Sequence, residues 1–193
     1  MKMKLWELPT LDLAKELLGM KLIHIDDDAI ISGYIVETEA YLGPEDRAAH
    51  SFNNRRTART EVMYGEAGTI YTYFIYGMHV CFNIVSGPVN KPEAILIRAI
   101  QPNEGIERMR ERRARVKNEI MLTNGPGKLS KAMGFTLSDN GKKINEGNIR
   151  VEEGMIVVQN EIISGPRIGI QYAEEAVHYP YRFWIKNNPY VSR

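Results

Sequence analysis

The chain has 193 residues, 44% of them hydrophobic and 25% charged, with a formal net charge of +1. This length suits one domain and this apolar content suits a packed core, while the near-neutral charge excludes nucleic-acid binding driven by bulk basicity and leaves only a local patch for it. A single cysteine, Cys81, excludes an internal disulfide framework and a cysteine-cluster metal site. No stretch approaches the ~20 apolar residues of a membrane span, and the segment Met1 to Glu7 is too charged for a secretory leader. The expectation is a cytoplasmic protein with no membrane partner.

Taken in chain order, Pro9-Thr10 followed by Leu11 to Leu18 and Gly19 predicts a short helix, with Thr10 as its N-cap and its leucines on the core. Residues 21–25 and 30–41 read as strands around an Asp26-Asp27-Asp28 turn, the second stopped by Gly43-Pro44. Residues 45–63 are polar and arginine-rich and read as a surface loop. Residues 69–86 give the clearest hairpin, its tip near Tyr76-Gly77. A strand over 94–100 is expected to end before Pro102, with Asn103 capping a charged helix over 104–121. Asn124-Gly125-Pro126-Gly127 breaks the chain, and Lys128 to Met133 reads as a helix closed by Gly134. Short strands are expected at 148–151, 155–158, 166–170 and 181–186. No repeat or linker appears, so a single mixed domain over 1–193 is the economical reading.

Strand alternation puts Ile35, Glu37, Glu39 and Tyr41 on one face. Alone, two glutamates there are best read as a solvent-facing edge; the functional reading is a general base beside an aromatic wall, where desolvation tunes a carboxylate toward base chemistry. In the hairpin, Tyr71, Tyr73 and Ile75 share one face and Ile70, Thr72, Phe74 and Tyr76 the other. A core role accounts for Phe74 and Tyr71. It accounts poorly for Tyr76, whose bulk beside a turn glycine suits a wedge, with Met78 and His79, that fills the gap left by an extruded nucleotide. The arginines of 108–117 alternate with glutamates and read as a solvated helix face. Arg55, Arg56 and Lys128 are better phosphate candidates. Gly125-Pro126-Gly127-Lys128-Leu129 is no P-loop, lacking the first glycine and the Ser or Thr after the lysine. The four histidines show no metal spacing, so no metal and no other cofactor is expected.

These stretches resemble the alkyladenine (3-methyladenine) DNA glycosylases of mixed α/β type, in their bacterial form. The likeness runs through Ile35–Ser51, Gly68–Asn83, Ala94–Pro102 with Glu104-Gly105, Gly125–Leu129, Pro166–Ile170 and Arg182-Phe183-Trp184 through Val191-Ser192. It implies that Glu39 is the general base for the attacking water, held with Arg98 and the backbone carbonyl of Ile168. It also implies that Tyr41, His50 and Tyr73 form the pocket for the flipped base, that Asn83 crowds the exocyclic amino group of normal guanine, and that Tyr76 intercalates. The chain departs from the animal members at His79, where they carry a tyrosine. The implied fold is α+β, a mainly antiparallel curved sheet with a protruding β-hairpin and flanking helices. The implied partner is double-stranded DNA containing damaged bases, and binding to it would associate the protein with the nucleoid; a monomer is expected because scanning for single lesions requires nothing more. Two other readings stand beside this one: a non-catalytic damaged-DNA-binding module, and a sugar hydrolase using Glu37 and Glu39 as its carboxylate pair.

Overall fold

Strand β2, Ala29–Tyr41, is the spine of the sheet in the computed structural model, which describes residues 5–27 and 29–192. The N-terminal Met1–Lys4, Arg193 and Asp28 of the expected turn lie outside the described residues. Strand β2 carries β5, Glu93–Glu104, along one edge. Along the other lie first β1, Lys21–Asp26, and then β8, Arg182–Ile185. The sheet continues from β5 to the hairpin of β4, His79–Ser86, and β3, Ile70–Ile75. It closes on the far side with β6, Ile149–Glu152, on β1, and β7, Ile162–Gly165, on β8. Among the described residues, eight strands pair antiparallel in a curled sheet of a single α+β domain.

Four helices pack on one face of the sheet: α1, Thr10–Glu16; α2, Ile106–Arg112; α3, Ile120–Thr123; and α4, Pro126–Met133. Period-two alternation sorts the strand residues. Ile70, Phe82, Ile84, Ile95 and Ile97 join Leu13, Leu17, Met109, Leu122 and Leu129 in the main core. Their neighbours Tyr71, Cys81, Asn83, Ala94 and Leu96 face the opposite side, where residues 41–64 and 166–179 cover the sheet.

Several sequence expectations are corrected. Thr10 is the first helical residue rather than the cap; its hydroxyl is spent on Ser86 and Glu93, inside the protein. Strand β5 runs on past Pro102 to Glu104, because β4 pairs with it only as far as Leu96 and leaves that edge free of a partner needing the missing N–H. Asn103 therefore lies in the strand. Gly105 starts α2 with φ +70, at a spot where a Cβ would come within 2.6 Å of the Ile30 carbonyl oxygen. The expected long helix breaks after Arg112, whose guanidinium bonds Asp26 and the Ala132 carbonyl. No strand forms at 155–158 or 166–170, whereas Ile162–Gly165 pairs with β8. Phe74 is 50% exposed, not core, because the hairpin projects beyond the end of its pairing with β5.

Candidate active site

The acidic strand is not a solvent-facing edge, for Glu37 and Glu39 are both fully buried. The alternation expected of it also fails at one point. The β2–β5 register slips at Val36, which faces no β5 residue, and again at Arg98, which is skipped between the pairs Glu37↔Ala99 and Thr38↔Ile97. The first bulge changes the phase of the strand: Ile35 packs in the main core with Ala40, while Glu37 and Glu39 turn to the other side toward Arg98. Paired bulges of this kind re-aim side chains near functional sites.

On that side lies a cavity of about 500 Å³, within the roughly 300–1,000 Å³ typical of small-ligand sites. Its walls are largely aromatic: Tyr41 from β2, Tyr71 and Tyr73 from β3, His50 from the 41–64 segment and Tyr172 from the 166–179 segment. Asn83 and Arg98 reach it from β4 and β5, Ile168 from the covering segment, Pro126 from the start of α4, and Tyr76 from the hairpin tip. The structure thus brings Tyr41, His50, Tyr73, Asn83, Arg98, Ile168 and Tyr76 together around one space. Glu39 sits directly behind its wall.

The Glu39 carboxylate is heavily held. Oε1 accepts the Ile168 N–H at 2.7 Å and lies 3.2 Å from Arg98 Nη1, while Oε2 accepts the Tyr41 hydroxyl at 2.7 Å. Among the described residues these contacts take three of about four acceptor positions on the carboxylate, two on Oε1 and one on Oε2. Burial first, and then the Glu39 charge, push the Tyr41 hydroxyl well above its ordinary pKa, which keeps it a donor. Burial works to lower the Arg98 pKa, but Glu39 and Glu37 outweigh it and the guanidinium stays charged. Behind Tyr41, the buried Arg167 lies 4.7 Å over its ring and makes bonds of 2.5 and 2.7 Å to Asp46.

His50 joins the tyrosine wall edge-on, 4.6 Å from the Tyr73 ring, with Nδ1 2.9 Å from the Tyr71 hydroxyl. Burial, then the charges of Arg59 and Arg55, lower its pKa to about 4, so the imidazole is neutral at pH 7. Arg59 Nη2 lies 3.5 Å from its Nε2. Asn83 is pinned by a 3.0 Å bond from its Nδ2 to the Tyr71 carbonyl.

The hairpin tip stands clear of the body. Tyr76 is 83% exposed and Met78 72%, and Tyr76 and Gly77 both adopt left-handed φ, +51 and +69. His79 is exposed but braced, since a Cβ on Gly127 would come within 2.9 Å of the His79 Cβ. Of the phosphate candidates, Arg56 is committed to Glu61 in a two-pronged bond of 2.9 and 2.7 Å and lies over the Tyr64 ring. Arg55 is exposed beside the cavity with Arg59. Lys128 donates to Asn124 and lines a groove with His79, Arg113, Arg115 and Lys131.

Sequence reading missed Arg59, which lies 4.8 Å over the Tyr73 ring. It also missed Tyr172 and the site-facing role of Tyr71, although alternation from Tyr73 already placed Tyr71 on the same face. Both carboxylates grip the same arginine instead of facing each other across the cavity, which speaks against the sugar-hydrolase reading. Among the described residues, no group of three or more His, Cys, Asp or Glu is arranged to hold a metal ion, and no helix is long and apolar enough to cross a membrane.

A buried carboxylate thus lies behind an aromatic cavity, and an exposed aromatic hairpin projects beside it from a curled antiparallel sheet. Residues 4–189 match the family described as methylpurine-DNA glycosylase (MPG), and the chain belongs to that family. It is 49% identical to a protein of Bacillus cytotoxicus over 97% of both chains, and 50% identical to one of Bacillus cereus strain ATCC 14579 over 97% of this chain and 96% of the other. A protein of Bacillus mycoides is 49% identical over 97% of both. All three are provisionally named 3-methyladenine DNA glycosylase.

Proposed function

We propose that this protein excises alkylated purines, 3-methyladenine among them, from duplex DNA, with the lesion flipped into the tyrosine cavity and the water activated by Glu39. The observation that carries this reading is the Glu39 carboxylate: fully buried and oriented by Tyr41, Ile168 and Arg98, with three of about four acceptor positions taken among the described residues. In the proposed step the water oxygen bonds to C1′ of the sugar as the C1′–N bond breaks. The electron pair of that bond goes to the purine, and the water proton goes to Glu39. An N-alkylated purine is cationic in the DNA and leaves neutral, so little acid assistance is needed. The negative carboxylate also favours the oxocarbenium-like transition state.

The neutral His50 and the rings of Tyr41, Tyr71 and Tyr73 suit a flat cation, because aromatic faces attract positive charge and a charged imidazole would repel it. Tyr76 would fill the space of the extruded nucleotide, flanked by Met78 and His79. A bulky residue at positive φ in a tight turn is an outlier that turn stability does not explain, and an intercalating role does. Arg55 and Lys128 would hold backbone phosphates; Arg56 would have to leave Glu61 to join them. No lysine lines the cavity among the described residues, so the chemistry supported is hydrolysis without a Schiff base or a strand nick.

The test is Glu39→Gln, assayed for lesion binding and excision. Excision should fall by on the order of 1,000-fold or more, with binding to a lesion-containing duplex retained. Turnover close to the native rate would remove Glu39 from the mechanism and favour a module that binds damage without cutting.

A further inference from the structure

We infer that Glu37 is a positioning residue for the excision step, acting through Arg98. The inference rests on the proposed role of Glu39. Glu37 is fully buried, like Glu39, but where Glu39 bonds the cavity-wall residues Tyr41 and Ile168, among the described residues Glu37 reaches the cavity wall only through Arg98. Its bonds to the described residues face inward. Oε1 accepts Arg98 Nε at 3.2 Å, Arg182 Nη1 at 2.9 Å and the Ser192 hydroxyl at 2.9 Å, and Oε2 accepts the Ser192 N–H at 2.7 Å.

Arg98 is fixed at all three of its nitrogens: Nε by Glu37, Nη2 by the Ser192 hydroxyl at 3.2 Å, and Nη1 by Glu39. Two of these three anchors belong to the Glu37–Ser192 unit, and only Nη1 reaches toward the Glu39 carboxylate. This matters because Arg98 sits at the β5 bulge, where the ladder register does not set its direction. Charge points the same way. Glu37, Glu39, Arg98 and Arg182 make two carboxylates and two guanidinium groups, all buried or nearly so. Glu37 takes part of the Arg98 charge, so Arg98 orients Glu39 without fully neutralising it. Arg182 in turn belongs to β8, so the C-terminal segment from β8 to Ser192 becomes a clamp on the catalytic carboxylate through Glu37.

The experiment compares single-turnover excision rates and lesion-duplex Kd for Glu37→Gln, Arg98→Met, the double variant and Glu39→Gln. Glu37→Gln keeps the shape and a hydrogen-bonding head but removes the charge. Its excision rate is expected to fall on the order of 100-fold, the cost of misplacing a group by about 1 Å, with Kd changed by less than about threefold. In the Arg98→Met background the same substitution should cost less than about twofold more, since Glu37 has nothing left to act through. A 100-fold loss in both backgrounds would show an independent structural role and overturn the inference. A native rate in Glu37→Gln beside an inactive Glu39→Gln overturns it alone, whereas an active Glu39→Gln removes the base assignment and this inference with it. If Glu37→Gln does not fold, Arg98→Lys decides: one ammonium cannot span the two carboxylates and Ser192, so a loss of tenfold or more at unchanged Kd is expected, and a native rate overturns the proposal.

Discussion

Replacing Tyr76 by Asn separates the wedge from the turn that carries it. Tyr76 and Gly77 both have positive φ, and Asn-Gly is the dipeptide favoured in such hairpin turns. Tyr76→Asn should therefore leave the hairpin intact and the Tm unchanged or slightly raised. A buried tyrosine covers about 150–250 Å², and Tyr76 is 83% exposed in the free protein. Insertion into a base stack would thus cover roughly 120–200 Å², a ceiling of about 3–5 kcal/mol at ~25 cal/mol per Å². Ordering costs and competition from the re-stacking base lower this, and aromatic–base stacks are worth about 1–3 kcal/mol. Taking about 2 kcal/mol gives roughly a 30-fold loss. The assay is single-turnover excision of one site-specific lesion from duplex and from single-stranded oligonucleotide. The loss should appear on duplex and stay below about threefold on the single strand, where there is no stack to fill. Equal losses on both substrates, or a fall in Tm that accounts for them, would refute the intercalating role.

Three further outcomes are expected. Asn83→Ser removes a side chain pinned to the Tyr71 carbonyl at the cavity wall, and should raise release of unmodified guanine at least tenfold in chromatography of free bases; undetectable guanine with normal 3-methyladenine release would exclude Asn83 as the gate. His50 has a folded pKa of about 4 against about 6.5 unfolded, so the unfolded chain takes up its proton first as pH falls. Stability from this group is complete above about pH 6.5 and declines toward pH 4, by up to about 3 kcal/mol; Tm measured across that window should drop more steeply in the native protein than in His50→Gln. Asp46→Asn leaves the buried Arg167 without its counter-charge behind Tyr41 and should cost about 3–5 kcal/mol, lowering Tm by roughly 10 °C, whereas an unchanged Tm would contradict the buried pair.

Part of the candidate site follows local rules, while His50, Asn83, Arg98 and Ile168 were reached only through the family resemblance. Alternation along a hairpin put Tyr71 and Tyr73 on one face, and the poor fit of a tyrosine to a turn beside Gly77 marked Tyr76 as protruding. The unreadable part depends on contacts distant in sequence. The Val36 bulge, which separates Ile35 from Glu37 and Glu39, arises from the pairing of β2 with β5 and leaves no trace in the pattern of β2 alone. Glu37 looked like surface because its partners Arg98, Arg182 and Ser192 lie 61 to 155 residues away. The charged run after Gly105 looked like one helix because the contacts that break it, from Arg112 to Asp26 and from Arg113 to the carbonyls of Met121 and Leu122, lie outside its periodicity.

The most direct measurement is incubation of the purified protein with methylated duplex DNA in EDTA, followed by chromatography of released free bases and analysis of strand integrity. Free 3-methyladenine and abasic sites in unbroken strands are expected, without added metal. Tight binding to the damaged duplex with no released base would contradict it and leave the Glu39 carboxylate without a catalytic role.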